Sequence, residues 1–223
     1  MREVAEAVFH LPLSPRSSVN AYLVGDVLVD AGYGWQARRV LRDVRGRIVA
    51  RHVLTHAHVD HAGGTRKVLD ALGVPVAAGE KDLPAMHSGR VEMEVPAALR
   101  KAGERYASFE PVPEATALHE GDEVGPGFVV LDTPGHSAGH ISLWRASDRT
   151  LICGDVVNSM SLVTTRPGLQ EPPKMFTPDP PRNRASIRRL AALSPRLVLV
   201  GHGPPVLNAA DPLHVFAAAL PDD

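Results

Sequence analysis

The chain contains one cysteine, Cys153, so no internal disulfide can form and the fold must hold without one. A reducing compartment is therefore permitted. No stretch approaches the roughly 18 consecutive apolar residues of a membrane span, and the N-terminal MREVAEAVFHLPLSPRSSVN has no apolar core followed by a small-residue cleavage site. The expectation is a soluble, cytoplasmic protein. Charge of one sign is also missing: the formal net charge is -1, so no nucleic-acid partner is expected. The cluster Arg182, Arg184, Arg188 and Arg189 reads as a solvated helix face. Repeats with a period of about 20 to 50 residues are absent. The expected partner is a small-molecule substrate, with no membrane, and nothing in the sequence speaks to an oligomeric state.

What is present is an ordinary globular balance, 44% hydrophobic and 22% charged over 223 residues, enough for one substantial domain. Strands are expected at Val8 to Leu13, Ala21 to Val24 and Val27 to Asp30, the last two joined by a Gly25-Asp26 turn. Ala37, Val40, Leu41 and Val44 recur at helical spacing before Gly46, and Ile48 to Leu54 returns to a strand. Thr65 to Leu72 reads as a helix closed by Gly73, with a strand at Val74 to Ala78. Further strands are expected at Phe128 to Leu131, Ile141 to Trp144, Leu151 to Cys153 and Leu197 to Val200. Helices are expected at Pro96 to Tyr106, at Asn183 to Leu193 and after Pro212. The order of strands and helices thus occurs twice. Two proline-rich or irregular segments, 80-110 and 158-182, read as insertions over the active site in a single domain 1-223.

The chemistry is concentrated in T-H-A-H-V-D-H, Thr55 to His61, followed by Ala62-Gly63-Gly64. Residues two apart on a strand end project to one side, so His56 and His58 can converge on one metal ion, while Asp60 and His61, beyond a turn, can face a second. Chance clustering on a surface or in a core is a poor alternative, because three imidazoles together repel when protonated and are costly to bury unpaired. Further ligands should also leave strand ends. His136 in T-P-G-H, Asp155 in C-G-D and His202 in G-H-G each follow a strand and a glycine. Counting assigns His56, His58 and His136 to one ion and Asp60, His61 and His202 to the other, with Asp155 free to bridge. Nitrogen and carboxylate ligands without thiolate suit zinc, and also iron or manganese.

H-x-H-x-D-H, followed by a distant T-P-G-H, G-D and G-H-G, resembles the metallo-β-lactamase-fold superfamily of metallohydrolases, glyoxalase II-like members included. That resemblance implies an α/β fold, a four-layer αβ/βα sandwich of two mixed β-sheets flanked by helices, with a dinuclear metal site at one edge. It further implies that Asp30 in L-V-D-A-G supports the site from behind its ligands, as a ligand histidine usually requires. An aspartate opening a turn before Ala31-Gly32 is an equally good account of Asp30 from the sequence alone. His140 reads as a supporting histidine rather than a ligand, His10, His52, His87, His119 and His214 as ordinary, and Cys153 as a buried inert thiol.

The mechanism implied by the resemblance is hydrolysis by a hydroxide bridging two Zn2+ ions, water bound to zinc having its pKa lowered toward about 7. Asp60, a ligand in the family pattern, also serves catalysis by orienting the hydroxide and carrying its proton to the leaving group. Departures from the family prune the substrates. Glyoxalase II-like thioesterases carry a C-terminal helical domain, and only a short tail follows His202 here. Many β-lactamases of this fold place Cys where this chain has Asp155, and homoserine-lactone hydrolases have a tyrosine where it has Asn158. The expectation is a zinc-dependent, lactonase-like hydrolase of an ester, lactone or thioester. The alternatives are an iron-dependent, persulfide dioxygenase-like oxidoreductase or a β-lactamase-like amide hydrolase. Met86, Met93, Met160, Leu162, Met175 and Phe176 are expected to wall an apolar pocket, and Arg166, Lys174 and Arg182 are candidates to neutralise an acidic substrate.

Overall fold

A computed structural model describes residues 1–91 and 107–221. The first sheet has seven strands in sequence order: β1 (Arg2–Ala5), β2 (Val8–Pro12), β3 (Asn20–Val24), β4 (Val27–Val29), β5 (Arg51–Leu54), β6 (Val76–Gly79) and β7 (Thr116–Leu118). Its first four strands are antiparallel and its last three join in parallel. The second sheet holds six strands. β8 (Glu123–Val124), β9 (Phe128–Asp132), β10 (Ile141–Arg145) and β11 (Thr150–Gly154) form an antiparallel meander. β14 (Leu197–Val200) then joins β11 in parallel, and β15 (Val206–Leu207) closes the edge antiparallel to it. A hairpin of β12 (Asn158–Met160) and β13 (Pro167–Gln170) stands apart from both sheets.

Alternation along the strands builds the layers. Val27 and Val29 face the second sheet while Leu28 faces outward, and Ile152 likewise faces the first sheet while Leu151 and Cys153 face outward. Since both faces of these strands are buried, they read as continuous apolar runs. The inner layer joins Tyr22, Val29 and Val53 to Phe128, Leu143 and Leu199. Outside the first sheet, α1 (Ala37–Asp43) and α3 (Thr65–Leu72) cover Leu23 and Leu28 through Val40 and Val68. Outside the second, α5 (Pro180–Ala192) and α6 (Ala210–Ala218) cover Cys153 and Val200 through Ile187, Leu190 and Leu213. Each such side chain contributes about 1.5–3 kcal/mol by leaving water. The result is an αβ/βα sandwich of two mixed sheets with helices outside.

Several expectations move by a few residues. The strand before the histidine cluster covers Arg51–Leu54 and not Ile48, whose side chain is exposed. The last helix starts at Ala210, with Pro212 in its first turn, where the missing N–H costs nothing. Segment 158-182 is less irregular than its prolines suggest, because Asn158 to Met160 pairs with Pro167 to Gln170. The short strands β1, β7 and β8 and the one-turn helices α2 (Val59–Ala62) and α4 (Leu83–Ser88) carry too little periodicity to be read from sequence. The expected helix Pro96 to Tyr106 lies outside the described residues, as does Met93. No helix among the described residues is long and apolar enough to cross a membrane.

Pairing directions place the site. β4 and β5 run parallel, as do β11 and β14, and β9 shares their direction within its sheet because two antiparallel steps separate it from β11. Their C-terminal ends deliver Asp30, Thr55 to His61, His136, Asp155 and His202 to one edge of the sandwich. Two bonds between the sheets tie that edge together: Tyr22 Oη donates to Val200 O at 2.7 Å, and Asn20 Nδ2 donates to the same carbonyl at 3.0 Å.

Candidate metal centre

The strand β5 ends at Leu54, so His56 and His58 stand on the loop beyond it and not on the strand end itself. They still face one point because the loop stays extended, His58 having φ -77° and ψ 155° as the residue before α2. The rings of His56, His58 and His136 lie 4.5 to 4.8 Å apart by centroid. α2 then turns the chain so that Asp60 and His61 meet His202, with His202 Nε2 3.2 Å from Asp60 Oδ2. Asp155 lies between the groups: its Oδ1 is 3.4 Å from His61 Nε2, and its Oδ2 is 3.5 Å from His136 Nε2 and 2.9 Å from His202 Nε2. Three sets, His56–His58–His136, His56–His61–Asp155 and Asp60–His61–His202, each gather their ligand atoms within 4.8 Å. All seven residues named from the sequence are brought together.

Behind four of the histidines, His56, His61, His136 and His202, the ring nitrogens that face away from the centre are occupied. His61 Nδ1 donates to Asp30 Oδ2 at 2.8 Å, and His202 Nδ1 donates to Ser18 O at 2.6 Å. His56 Nδ1 donates to Thr55 Oγ1, which in turn donates to Asp30 Oδ2. His136 Nδ1 donates to Thr177 Oγ1, which donates to Pro173 O. These bonds select the tautomer in which Nε2 carries a lone pair toward the centre. There the Nε2 atoms of His56, His61 and His136 and the Oδ1 of Asp155 are buried without a hydrogen-bond partner. Four such orphans in one place would be costly in a finished protein interior, and they fit a bound cation.

Electrostatics point the same way. Burial and then the neighbouring His61 and His58 hold His56 well below the ordinary imidazole range, and burial with His58 does the same to His136. Burial also opposes a proton on His202, but Asp155 and Asp60 outweigh it and raise this group to about 10. His61 is raised by the same contest, burial against Asp155 and Asp30. Burial would raise Asp60 and Asp155, yet the cationic form of His202 and His61 keeps both carboxylates ionised. Part of the cluster is set to stay neutral and part to hold positive charge, a role a metal ion takes in competition with protons.

The Metallo-beta-lactamase superfamily matches residues 14–202 of the chain. This chain belongs to that superfamily. It is 30% identical to the probable metallo-hydrolase YflN of Bacillus subtilis, over 92% of this chain and 82% of that one. It is 32% identical to a hydroxyacylglutathione hydrolase of Xanthomonas campestris, over 85% of this chain but 60% of that one. Among solved structures, TTHA1623 in a di-iron-bound form superposes with a TM-score of 0.69 at 31% identity, over 91% of this chain and 96% of that one. The protein is accordingly a metallohydrolase of the metallo-β-lactamase superfamily.

Within the superfamily frame the remaining histidines sort themselves. His140 Nε2 accepts the Asp155 backbone N–H at 3.1 Å while its Nδ1 donates to Thr133 Oγ1 at 2.9 Å, so both nitrogens are used and neither is left for a metal. Burial pushes its proton affinity down to about 3. Asp30 is more than a turn residue: it stands at φ 59° and accepts from Thr55 N, Thr55 Oγ1 and His61 Nδ1. Cys153 is buried, and burial lifts its thiol to about 12. Sequence reasoning missed Asp82, Thr177 and Ser137. Asp82 accepts from Ala57 N, Ser137 Oγ and Gly139 N, pinning the loop of His56 and His58 to that of His136. Its signal in G-E-K-D is that of a helix cap before Leu83-Pro84, and its carboxylate caps nothing.

A cavity of about 600 Å³ opens beside His58 and His136. The expected methionine wall is not there. Met86 is fully buried with Leu54 and Ala57, because α4 packs that face inward, and Met160 is buried by the pairing of β12. Leu162 and Met175 are exposed, and Phe176 is not part of the lining. Apolar surface comes instead from Pro84, Ala85, Val91, Pro134, Ala138 and Pro178. Of the three cations named from the sequence, Arg182 lines the cavity, and Arg166 and Lys174 do not.

Proposed function

We propose that this metallohydrolase holds two zinc ions and hydrolyses an ester, lactone or thioester of a small molecule bound in the cavity beside His58 and His136. The observation that carries this reading is the set of four buried atoms, His56 Nε2, His61 Nε2, His136 Nε2 and Asp155 Oδ1, left unpartnered at one point while the opposite ring nitrogens are all bonded. His56, His58 and His136 would hold one ion, Asp60, His61 and His202 the other, and Asp155 both. When bound, the ions supply Lewis acidity and lower the pKa of water toward about 7.

The chain's own residues do the rest. Asp60 keeps 20% of its side chain exposed against 4% for Asp155. It is the carboxylate open enough to orient the attacking water, take its proton and deliver it to the leaving group. Asp82 and Thr177 hold the two loops of the first ligand set in place, so that the cavity presents substrate to a preformed arrangement. Thioester cleavage is supported by the hydroxyacylglutathione hydrolases among the relatives.

Metal analysis of protein purified without added metal, followed by a panel of lactones, thioesters, β-lactams and phosphodiesters with zinc, manganese and iron, tests the reading. Two zinc per chain with lactone or thioester turnover is the expected result, and His58→Ala and Asp155→Ala should lose metal and turnover together. The di-iron form of TTHA1623 makes iron the competing metal. One iron per chain with oxygen consumption on a persulfide would replace hydrolysis by the oxidoreductase reading, and a fully active, metal-free His58→Ala protein would end the metal reading altogether.

A further inference from the structure

The cavity beside His58 and His136 takes three cations into its wall from three separate elements: Lys81 in the turn after β6, Arg90 after α4, and Arg182 in the first turn of α5. None of the three side chains pairs with an acidic group of the described residues. The three are exposed at the cavity mouth, and some cations elsewhere in the chain do pair. On α5 itself, Arg184 meets Glu171, Arg188 donates to the carbonyls of Leu220 and Pro221, and Arg189 grips Glu120 with both terminal nitrogens. Arg66 spans Asp70 and Glu114, and Arg145 binds Asp148. The arginines of α5 lie at or near the surface, as expected for a solvated face, with Arg184, Arg188 and Arg189 in contacts there and Arg182 on the cavity wall.

Two carboxylates share the lining, and neither answers these cations. Asp82 is buried and saturated by Ala57 N, Ser137 Oγ and Gly139 N. Asp179 caps α5 by accepting from Arg182 N at 3.0 Å. Three cations without an acidic partner among the described residues, gathered around one concavity, raise the local concentration of anions and favour a ligand that satisfies their donors. Two of them are arginines, whose planar forks match a carboxylate or a phosphate.

We infer that Lys81, Arg90 and Arg182 form an anion-binding rim, so that the substrate is an ester, lactone or thioester bearing a carboxylate or phosphate apart from the bond that is cleaved. This rests on the hydrolytic reading above and narrows it. The apolar lining of small residues and prolines suits a short carbon chain between the two ends. The rim determines specificity: it holds the remote charge and leaves the reacting carbonyl to the residues around His58 and His136.

The test is a matched set of thioesters with one acyl group and a thiol tail ending in carboxylate, phosphate or neutral carboxamide, offered to the zinc-loaded enzyme. The charged members should show KM at least about tenfold below the carboxamide with similar kcat, the scale of a lost charge-assisted hydrogen bond. Rising ionic strength should erode that advantage. In the Lys81→Ala, Arg90→Ala, Arg182→Ala triple variant, the ratio of charged to neutral KM should collapse to within about twofold. A larger preference for the carboxylate or for the phosphate member identifies the group. A carboxamide that binds as well as the charged members in the wild type, or a ratio that survives in the triple variant, overturns the rim. If none of the thioesters is cleaved, thioester hydrolysis is ruled out, the wider hydrolytic reading is left to the substrate panel above, and calorimetry with succinate decides the rim separately. Affinity about tenfold weaker in the triple variant than in the wild type supports it, and equal affinity overturns it.

Discussion

Asp30 stands at φ 59°, a left-handed conformation that an aspartate adopts at some cost. What compensates is the work of its carboxylate, which takes Thr55 N and Thr55 Oγ1 and fixes His61 through Nδ1. Asp30→Asn retains the shape but removes the charge and one of the acceptor oxygens, leaving His61 free to adopt the wrong tautomer. Metal affinity, measured by competition with a chromogenic chelator, should fall about 10- to 100-fold with the fold intact by circular dichroism. Unchanged affinity would reduce Asp30 to the turn residue that L-V-D-A-G equally suggests. Asp82 makes the complementary point. Its role depends on Ala57 N and on Gly139 N far along the chain, and no local pattern in G-E-K-D can announce partners supplied by other loops.

Among the elements, β11 and β14 matter most, since their parallel pairing sets Gly154 opposite Val200 and lets Gly201 N donate to Gly154 O, which brings Asp155 and His202 side by side. Gly201 has no room for a side chain. A methyl group there would overlap Asp155 Oδ1 and lie 2.6 Å from His61 Cε1. Gly201→Ala should therefore displace Asp155 and lower metal occupancy, read by metal analysis, while the sheet core around Leu199 and Ile152 stays packed. Full occupancy in that variant would show that the site yields more easily than its packing implies. The strands and long helices were legible because their apolar residues run together or recur at helical spacing, as in Leu197 to Val200 and Thr65 to Leu72. The hairpin of β12 and β13 was not, because Pro167 and Gly168 read as loop residues and only the pairing with Asn158 and Met160 makes them a strand.

On the scale of the whole molecule, both pH and metal act on stability, and His52 offers a pH effect that is separate from the candidate ligands. His52 is buried between Leu28 O and Thr65 Oγ1, and burial lowers its proton affinity against the opposing pull of that carbonyl and of Asp30. The folded protein thus binds fewer protons at His52 than the unfolded chain, whose imidazole titrates near 6.5. The stability this group contributes is full above about pH 6.5 and is lost as pH falls from there through the lower folded value. Urea midpoints compared between wild type and His52→Gln should show the wild type losing more stability from pH 7.5 to 5.5 than the variant does, and parallel losses would contradict it. Metal acts at the edge where both sheets meet. Chelation should lower Tm, and zinc added back should raise it with a dependence on free metal concentration. A Tm indifferent to chelator would mean that the cluster holds no ion in the folded protein.

The sequence by itself determined the chemistry and the class of fold. H-x-H-x-D-H and three glycine-preceded ligands are a local, covalent arrangement, and alternation along each strand depends only on the two-residue period of an extended chain. Tertiary structure decided what the substrate meets. The cavity wall is assembled from the turn after β6, the end of α4 and the head of α5, which are distant in the chain and share no motif. It also decided which polar groups were already satisfied: Asp82 was taken by backbone donors and His140 by Asp155 N, whereas Lys81, Arg90 and Arg182 line the cavity without an acidic partner among the described residues. A residue's partners depend on where other segments fold, and for that reason the candidate metal ligands could be read from the sequence, whereas of the cavity's cations only Arg182 could be named.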